Sequence, residues 1–201
     1  MIVALHGKMG SGKSTIANEL VSVLRDQYGI KSVIKSFAQP IYKLTSTLFN
    51  QPIDEIKKTK EAIFRPRSFK GLRTYRELLQ SIGMELRDYV HEDIWIDALF
   101  GKHNSKVLND WTSHGCNWWV IDDLRFINEF YRIRSSGGKL IKIVRKQNTN
   151  IHPDILNNGS EINLDKFDDD QWDHIVDNNY SKDITKKSLE NFIMTILQRE
   201  Q

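Results

Sequence analysis

Eight residues, Gly7-Lys8-Met9-Gly10-Ser11-Gly12-Lys13-Ser14, constrain this chain more than any other stretch of it. They fit the pattern G-x-x-x-x-G-K-[S/T], and their flanks are those the pattern requires. Ile2-Val3-Ala4-Leu5 reads as a short buried parallel strand. From Lys13 to about Tyr28, Ile16, Leu20, Val23 and Leu24 recur at three- and four-residue steps, one apolar helix face stopped by Gly29. In such a strand–loop–helix the glycines let successive main-chain N–H groups turn toward a polyphosphate, and the helix N-terminus adds a favourable dipole. Gly7 through Ser14, with Thr15, are thus the expected triphosphate cradle. Lys13 is expected to reach the β- and γ-phosphates, and Ser14 to ligate Mg²⁺.

The same alternation continues along the chain. Ser32 to Phe37 reads as a second strand, and Pro40 opens a helix through about Leu48. Residues 51 to 73 hold Pro52 and Pro66 without a clean period, so short helices and loops are expected there. Thr74 to Tyr89 is a helix with Leu78, Leu79, Ile82 and Leu86 on one side, and Glu92 to Phe100 continues helical after a turn. Trp118-Trp119-Val120-Ile121 is an apolar strand ending in Asp122-Asp123. Ile127 to Arg134 is a helix closed by Gly137-Gly138, Lys139 to Val144 a strand, and His174 to Asp177 a last short strand. Ser181 caps a final helix to about Gln198. Strands alternating with helices predict an α/β domain with a parallel sheet covered on both faces. The polar stretch from Asn148 to Asp173 reads as a lid or surface excursion.

Composition removes other classes. With 39% hydrophobic and 27% charged residues the chain has the balance of a globular domain. The single cysteine, Cys116, forms no internal disulfide and fits a reducing compartment, and its spacing to His103, His114 and His152 matches no zinc site. No apolar run approaches the ~20 residues of a membrane span, and the N-terminal apolar run is too short for a signal peptide, so the cytoplasm is the expected location. The net charge of +3 hides an uneven distribution: residues 57 to 76 hold eight bases and one acid, residues 154 to 183 nine acids and two bases. A basic stretch suits nucleic acid, a phosphorylated small molecule, or plain solvation.

Arginines decide between the classes of triphosphate-binding chain. No Asn-Lys pair is present, so the guanine signature of a GTPase switch is missing. A small-molecule kinase needs extra guanidinium groups, because an acceptor phosphate and the travelling phosphoryl group both need neutralising. Arg65, Arg67, Arg73 and Arg76 precede or open the Thr74 helix, Arg125 follows the third strand and Arg145 ends the fourth. Arg76 and Gln80, four apart, share a helix face able to hold an acceptor's phosphate and base edge. Asp122 and Asp123 end the strand beside the loop, and alternation points only one of them inward.

Four blocks now resemble the deoxynucleoside monophosphate kinases of tailed bacteriophages, a branch of the nucleoside monophosphate kinase superfamily. They are the phosphate loop, Ser36-Phe37-Ala38-Gln39-Pro40-Ile41-Tyr42-Lys43, Arg76-Glu77-Leu78-Leu79-Gln80-Ser81-Ile82-Gly83, and Asp123-Leu124-Arg125-Phe126-Ile127-Asn128-Glu129. Trp95 matches an aromatic of the segment after the third block, and Ser160-Glu161 and Ile175-Val176-Asp177-Asn178 echo weaker C-terminal ones. The resemblance implies a three-layer P-loop fold with a five-stranded sheet in the order 2-3-1-4-5. It also implies an acceptor-binding helical insertion over about 40–117 and a lid over about 146–173.

It further implies ATP as donor, Mg²⁺ as cofactor and a (deoxy)nucleoside 5′-monophosphate as acceptor, working in the cytoplasm (of a host, for a phage protein). Asp123 is favoured over Asp122 for the metal; Arg125 and Arg145 join Lys13 as catalytic residues, and Asn178 lies near the adenine. Phe37, Ala38, Lys43, Arg65, Arg73, Arg76, Gln80, Trp95 and Arg125 form the expected acceptor set. No membrane is involved, the resemblance argues against nucleic acid as partner, and a homodimer stays open. Two alternatives stand beside this reading: a P-loop kinase of another phosphorylated acceptor, phosphomevalonate-kinase-like, and an ATP-dependent nucleic-acid-binding protein.

Overall fold

The structure, a computed structural model, describes residues 1–64, 73–101, 116–146 and 163–199. The chain divides into two compact units, one of Met1–Ser36 with Asn104–Gln201 and one of Phe37–His103.

The first unit is built on a parallel five-stranded sheet. Its strands are β1 (Ile2–His6), β2 (Ser32–Lys35), β5 (Trp118–Ile121), β6 (Lys139–Val144) and β7 (His174–Asp177), in the order β2-β5-β1-β6-β7. Taken in chain order within this sheet, that is 2-3-1-4-5. The central strand β1 is buried from end to end, as a parallel strand covered on both faces must be.

Period two divides its side chains between the faces. Val3 and Leu5, with Ile141 and Ile143 of β6, join the main core. That core is closed by Ile16, Leu20, Val23 and Leu24 of α1 (Lys13–Tyr28) and by Leu189, Phe192, Ile193 and Ile196 of α7 (Lys182–Arg199). His6 lies on the opposite face, its ring stacked on Trp172 with centroids 5.2 Å apart. There, Phe130 and Ile133 of α6 (Ile127–Ser135) complete the third layer.

Several boundaries differ from the sequence expectation. The second strand stops at Lys35, where Ser36 turns its side chain to Asp123 and the ladder to β5 ends. Of the stretch 146–173, Lys146 and the residues from Asn163 onward are described, with 147–162 outside the described residues. Asn163 to Asp173 contribute to the core: Leu164, Phe167 and Trp172 are buried, and Phe167 stacks on Phe130 at 4.2 Å. These apolar residues anchor an acid-rich stretch, Phe167 and Trp172 both meeting the Phe130 ring.

The second unit holds α2 (Gln39–Phe49), α3 (Ile53–Lys58), α4 (Tyr75–Tyr89), α5 (Ile94–Phe100) and an antiparallel pair, β3 (Ile63–Phe64) with β4 (Arg73–Thr74). That pair stands where only short helices and loops are expected. Tyr42, Ile56, Tyr75 and Leu78 form its small core. Thr74 caps α4 by a capping box, accepting from Glu77 N at 3.2 Å while the Glu77 carboxylate accepts from Thr74 N at 2.8 Å. Helix α5 begins at Ile94 rather than Glu92, after a turn in which His91 Nδ1 accepts from Asp93 N at 3.0 Å. No helix among the described residues is long and apolar enough to cross a membrane.

Candidate active site

The loop from Gly7 to Gly12 joins β1 to α1, and its shape is dictated by its glycines. A Cβ on Gly7 would lie 2.5 Å from Ser11 Oγ and 2.9 Å from Ile143 O. Gly12 is the N-cap of α1 at φ +93°, a conformation L side chains rarely adopt, and a Cβ there would meet Asn178 Nδ2 at 2.4 Å. The ammonium of Lys13 turns back on the loop, donating to the carbonyls of Gly7 and, at 3.0 Å, of Lys8.

Two further side chains hold the loop by its carbonyls. Asn178 Nδ2 donates to Ser11 O at 2.7 Å, and Arg145 Nη1 to Gly10 O at 3.4 Å. In a trans peptide C=O and N–H point in opposite directions, so holding these carbonyls aims the amides of the following residues the other way. The ends of β6 and β7 supply both side chains, and Asn178 N also donates to Val144 O at 2.8 Å. Arg145 and Asn178 are thus brought to the loop. Lys8, within the loop, has a partner that no local signal announces: its ammonium pairs with Asp165 at 3.0 Å.

The carboxylate beside Ser14 is that of Asp122, not Asp123. Ser14 Oγ donates to Asp122 Oδ2 at 3.2 Å, whereas Asp123 Oδ2 accepts from Ser36 Oγ at 2.6 Å. All four residues of β5 are buried, so their pattern holds no alternation from which to choose between the two acids. Burial and the neighbouring Asp123 charge push the Asp122 carboxyl above its ordinary range, opposed by the Ser14 hydrogen bond and by Lys13. A hydroxyl and a carboxylate oxygen held together, with a carboxylate short of counter-charge, are donors of the kind Mg²⁺ takes.

Arg125 follows in a segment fixed by one buried acid. Glu129 accepts from the amides of Arg125 and Phe126 at 2.9 and 3.0 Å, and Asn163 Oδ1 accepts from Ile127 N at 2.9 Å. The half-buried Arg125 therefore springs from a rigid turn two residues beyond Asp123.

Apart from Arg125, the expected acceptor residues lie in the second unit and divide by environment. Phe37 is 3% exposed and packs edge-on against Phe100, with centroids 6.2 Å apart. Trp95 is buried too, its Nε1 donating to Gly83 O at 2.9 Å. Both are packing residues, and neither offers a ring face for stacking on a base. Ala38 is the N-cap of α2, its carbonyl accepting from Tyr42 N at 3.1 Å. Arg76 is held by Glu61, whose Oε1 lies 2.6 Å from Nε and 2.5 Å from Nη2. The hydrogen bond from that guanidinium, with its charge, holds the Glu61 carboxyl below its ordinary range. Lys43 and Gln80 are exposed. Lys57 and Lys60 place their ammonium groups over the Tyr42 ring at 5.5 and 5.2 Å, so part of the basic stretch is bound to the unit's own surface. Arg65 lies outside the described residues; Arg73 contributes its backbone to β4.

No protein-family model matches the chain. A protein of Acanthamoeba polyphaga mimivirus assigned as a deoxynucleotide monophosphate kinase is 33% identical over 153 residues, which is 72% of this chain and 74% of that protein. Solved structures similar at a distance include dephospho-CoA kinase from Campylobacter jejuni, at 15% identity and TM-score 0.46, covering 100% of this chain and 98% of that one. Shikimate kinase from Aquifex aeolicus follows at 14% identity and TM-score 0.42, covering 100% and 98%. The strand order and the phosphate loop are those of the P-loop fold, and the identity to the viral protein gives the family: the chain belongs to the deoxynucleotide monophosphate kinase family.

Proposed function

We propose that the protein transfers the γ-phosphoryl group of ATP to a (deoxy)nucleoside 5′-monophosphate, releasing ADP and the diphosphate. The observation that carries this reading is the glycine-shaped loop with Lys13 folded onto its carbonyls and Ser14 hydrogen-bonded to Asp122. The main chain of Gly7 to Ser14, with Thr15, holds the donor's phosphates. Lys13 exchanges loop carbonyls for phosphate oxygens, a charge-assisted contact stronger than the neutral one it replaces. Arg125 and Arg145 add positive charge where the phosphoryl group moves, and Asn178 holds the loop at the nucleoside end of the donor.

Ser14 and Asp122 are the residues that would hold Mg²⁺, which when bound neutralises charge on the β- and γ-phosphates. In the second unit, Arg76 anchors the acceptor's phosphate and Gln80 meets its base edge, with Lys43, Arg65 and Arg73 adding charge. Phe37, Ala38 and Trp95 shape that surface from beneath. The acceptor phosphate is already anionic near neutral pH, so positioning and electrostatics carry the reaction and no general base is required.

The test is a panel of ribo- and deoxyribonucleoside monophosphates incubated with ATP and Mg²⁺. ADP formation that depends on the added monophosphate is the expected result. Formation stimulated instead by DNA or RNA, with steeply salt-dependent affinity, would replace this reading. Arg76→Ala should raise KM for the monophosphate about tenfold and leave KM for ATP unchanged.

A further inference from the structure

The phosphate loop is held from two sides, both within the first unit. Arg145 and Asn178 take its Gly10 and Ser11 carbonyls, and Asp165 takes its other end at Lys8. The loop's own bonds converge on Lys8, whose carbonyl accepts from Ser11 N and from Lys13 Nζ, both at 3.0 Å. Its ammonium meets Asp165 Oδ2 at 3.0 Å. Asp165 stands at the tip of a turn closed by a bond from Phe167 N to Leu164 O at 3.2 Å, and both ends of that turn are buried. Phe167 is pinned by its stack on Phe130 of α6, and the other tip residue, Lys166, lays its ammonium over the Phe167 ring at 5.7 Å. Two residues before Asp165, Asn163 Oδ1 accepts from Ile127 N at 2.9 Å, one of the amides that the first turn of a helix leaves without a helical partner. The segment 163–167 therefore grips the phosphate loop at one point and the start of α6, two residues beyond Arg125, at another.

We infer that Asp165 is a positioning residue for the donor: it holds Lys8, and through the Lys8 carbonyl the resting place of Lys13, on a brace that also anchors the start of α6 behind Arg125. The side chains of the pair are 41% and 42% exposed, so solvent screens the bare charge and the carboxylate acts chiefly by where it holds its partner. Were charge the larger effect, the sign would reverse, because a carboxylate beside a polyphosphate repels it and its loss would tighten binding. This inference rests on the reading of ATP as the donor.

The experiment measures equilibrium binding of methylanthraniloyl-ATP, a fluorescent ATP analogue, and steady-state kinetics for the wild type, Asp165→Ala, Asp165→Asn and Lys166→Met. An exposed ion pair sets the scale, so D165A should weaken analogue binding and raise KM for ATP about threefold, with KM for the monophosphate unchanged. The amide oxygen of asparagine still accepts from Lys8, so D165N should lie between D165A and the wild type. K166M, which removes a charge from the same turn, should leave the affinity as it is. In a double-mutant cycle, D165A should add nothing in a Lys8→Met background. Binding that is unchanged or tighter in D165A overturns the inference. So do equal effects of D165A and D165N, a loss in K166M as large as in D165A, or full additivity with K8M. Should D165A not fold, D165N decides, weaker than the wild type alone and silent in the K8M background. A wild type that binds the analogue but phosphorylates no monophosphate refutes the proposed function and leaves this inference to the binding data; one that binds no analogue overturns both.

Discussion

Ser14 Oγ and Asp122 Oδ2 lie 3.2 Å apart, joining the first turn of α1 to the end of β5 across 108 positions of sequence. In the proposed function this pair holds the metal, whereas Asp123 is tied to Ser36. Asp122→Asn should raise the Mg²⁺ concentration needed for half-maximal activity by roughly 10–100-fold, the scale of a disturbed metal environment. Asp123→Asn should leave that requirement near the wild-type value. A Mg²⁺ titration of both variants checks the assignment, and the reverse pattern would return the metal to Asp123.

Lys13 bonds to carbonyls of its own loop. In the proposed function its removal deprives the transition state of a charge without opening the core. Lys13→Ala should lower turnover on the order of 10²-fold or more, the scale of deleting a major electrostatic stabiliser. Its thermal midpoint should stay close to that of the wild type. Steady-state kinetics beside a circular-dichroism melt measures both quantities.

His174 links pH to stability. Its Nε2 lies 2.8 Å from Ser188 Oγ and its ring stacks on Phe192, and burial holds its pKa below the ordinary histidine value. The neutral form is thus favoured in the folded state. As pH falls below about 6.5 the unfolded chain takes up the proton first, and stability is lost down to the folded-state value. Above that window the contribution is complete. His174→Asn should flatten the fall of the thermal midpoint between about pH 7 and pH 5; an identical slope in both proteins would exclude His174 as its source.

Phe167 stacks on Phe130 and is buried within a stretch whose composition reads as solvated acid. Truncating a buried aromatic removes its transfer energy and leaves a cavity, at a cost of about 3–5 kcal/mol. Phe167→Ala should lower the free energy of unfolding by about that amount in a urea titration. A freely moving excursion would lose almost nothing.

Local pattern alone located most of the sheet. Trp118–Ile121, Lys139–Val144 and His174–Asp177 are strands with the bounds their apolar runs suggest, and the phosphate loop lies between the strand and helix its motif requires. The two-residue strands β3 and β4 were illegible, since a period of two needs more than two residues to show itself. The same shortage hid the choice between Asp122 and Asp123, because β5 is buried on both faces. Phe37 and Trp95 were legible as aromatics of the acceptor segment, but whether a ring faces a substrate or a neighbour depends on its packing partner.

What the sequence by itself determined is whatever neighbouring residues enforce: glycines at a tight loop, a helix stripe at 3.6 residues, a cap three residues before its glutamate. What only the tertiary structure decided are the pairings across 80 or more positions, Ser14 with Asp122, Ser36 with Asp123, Lys8 with Asp165 and Asn178 with Ser11. Backbone sterics and periodicity act within a few residues, whereas a hydrogen bond between distant side chains exists only once the sheet has brought their strand ends together.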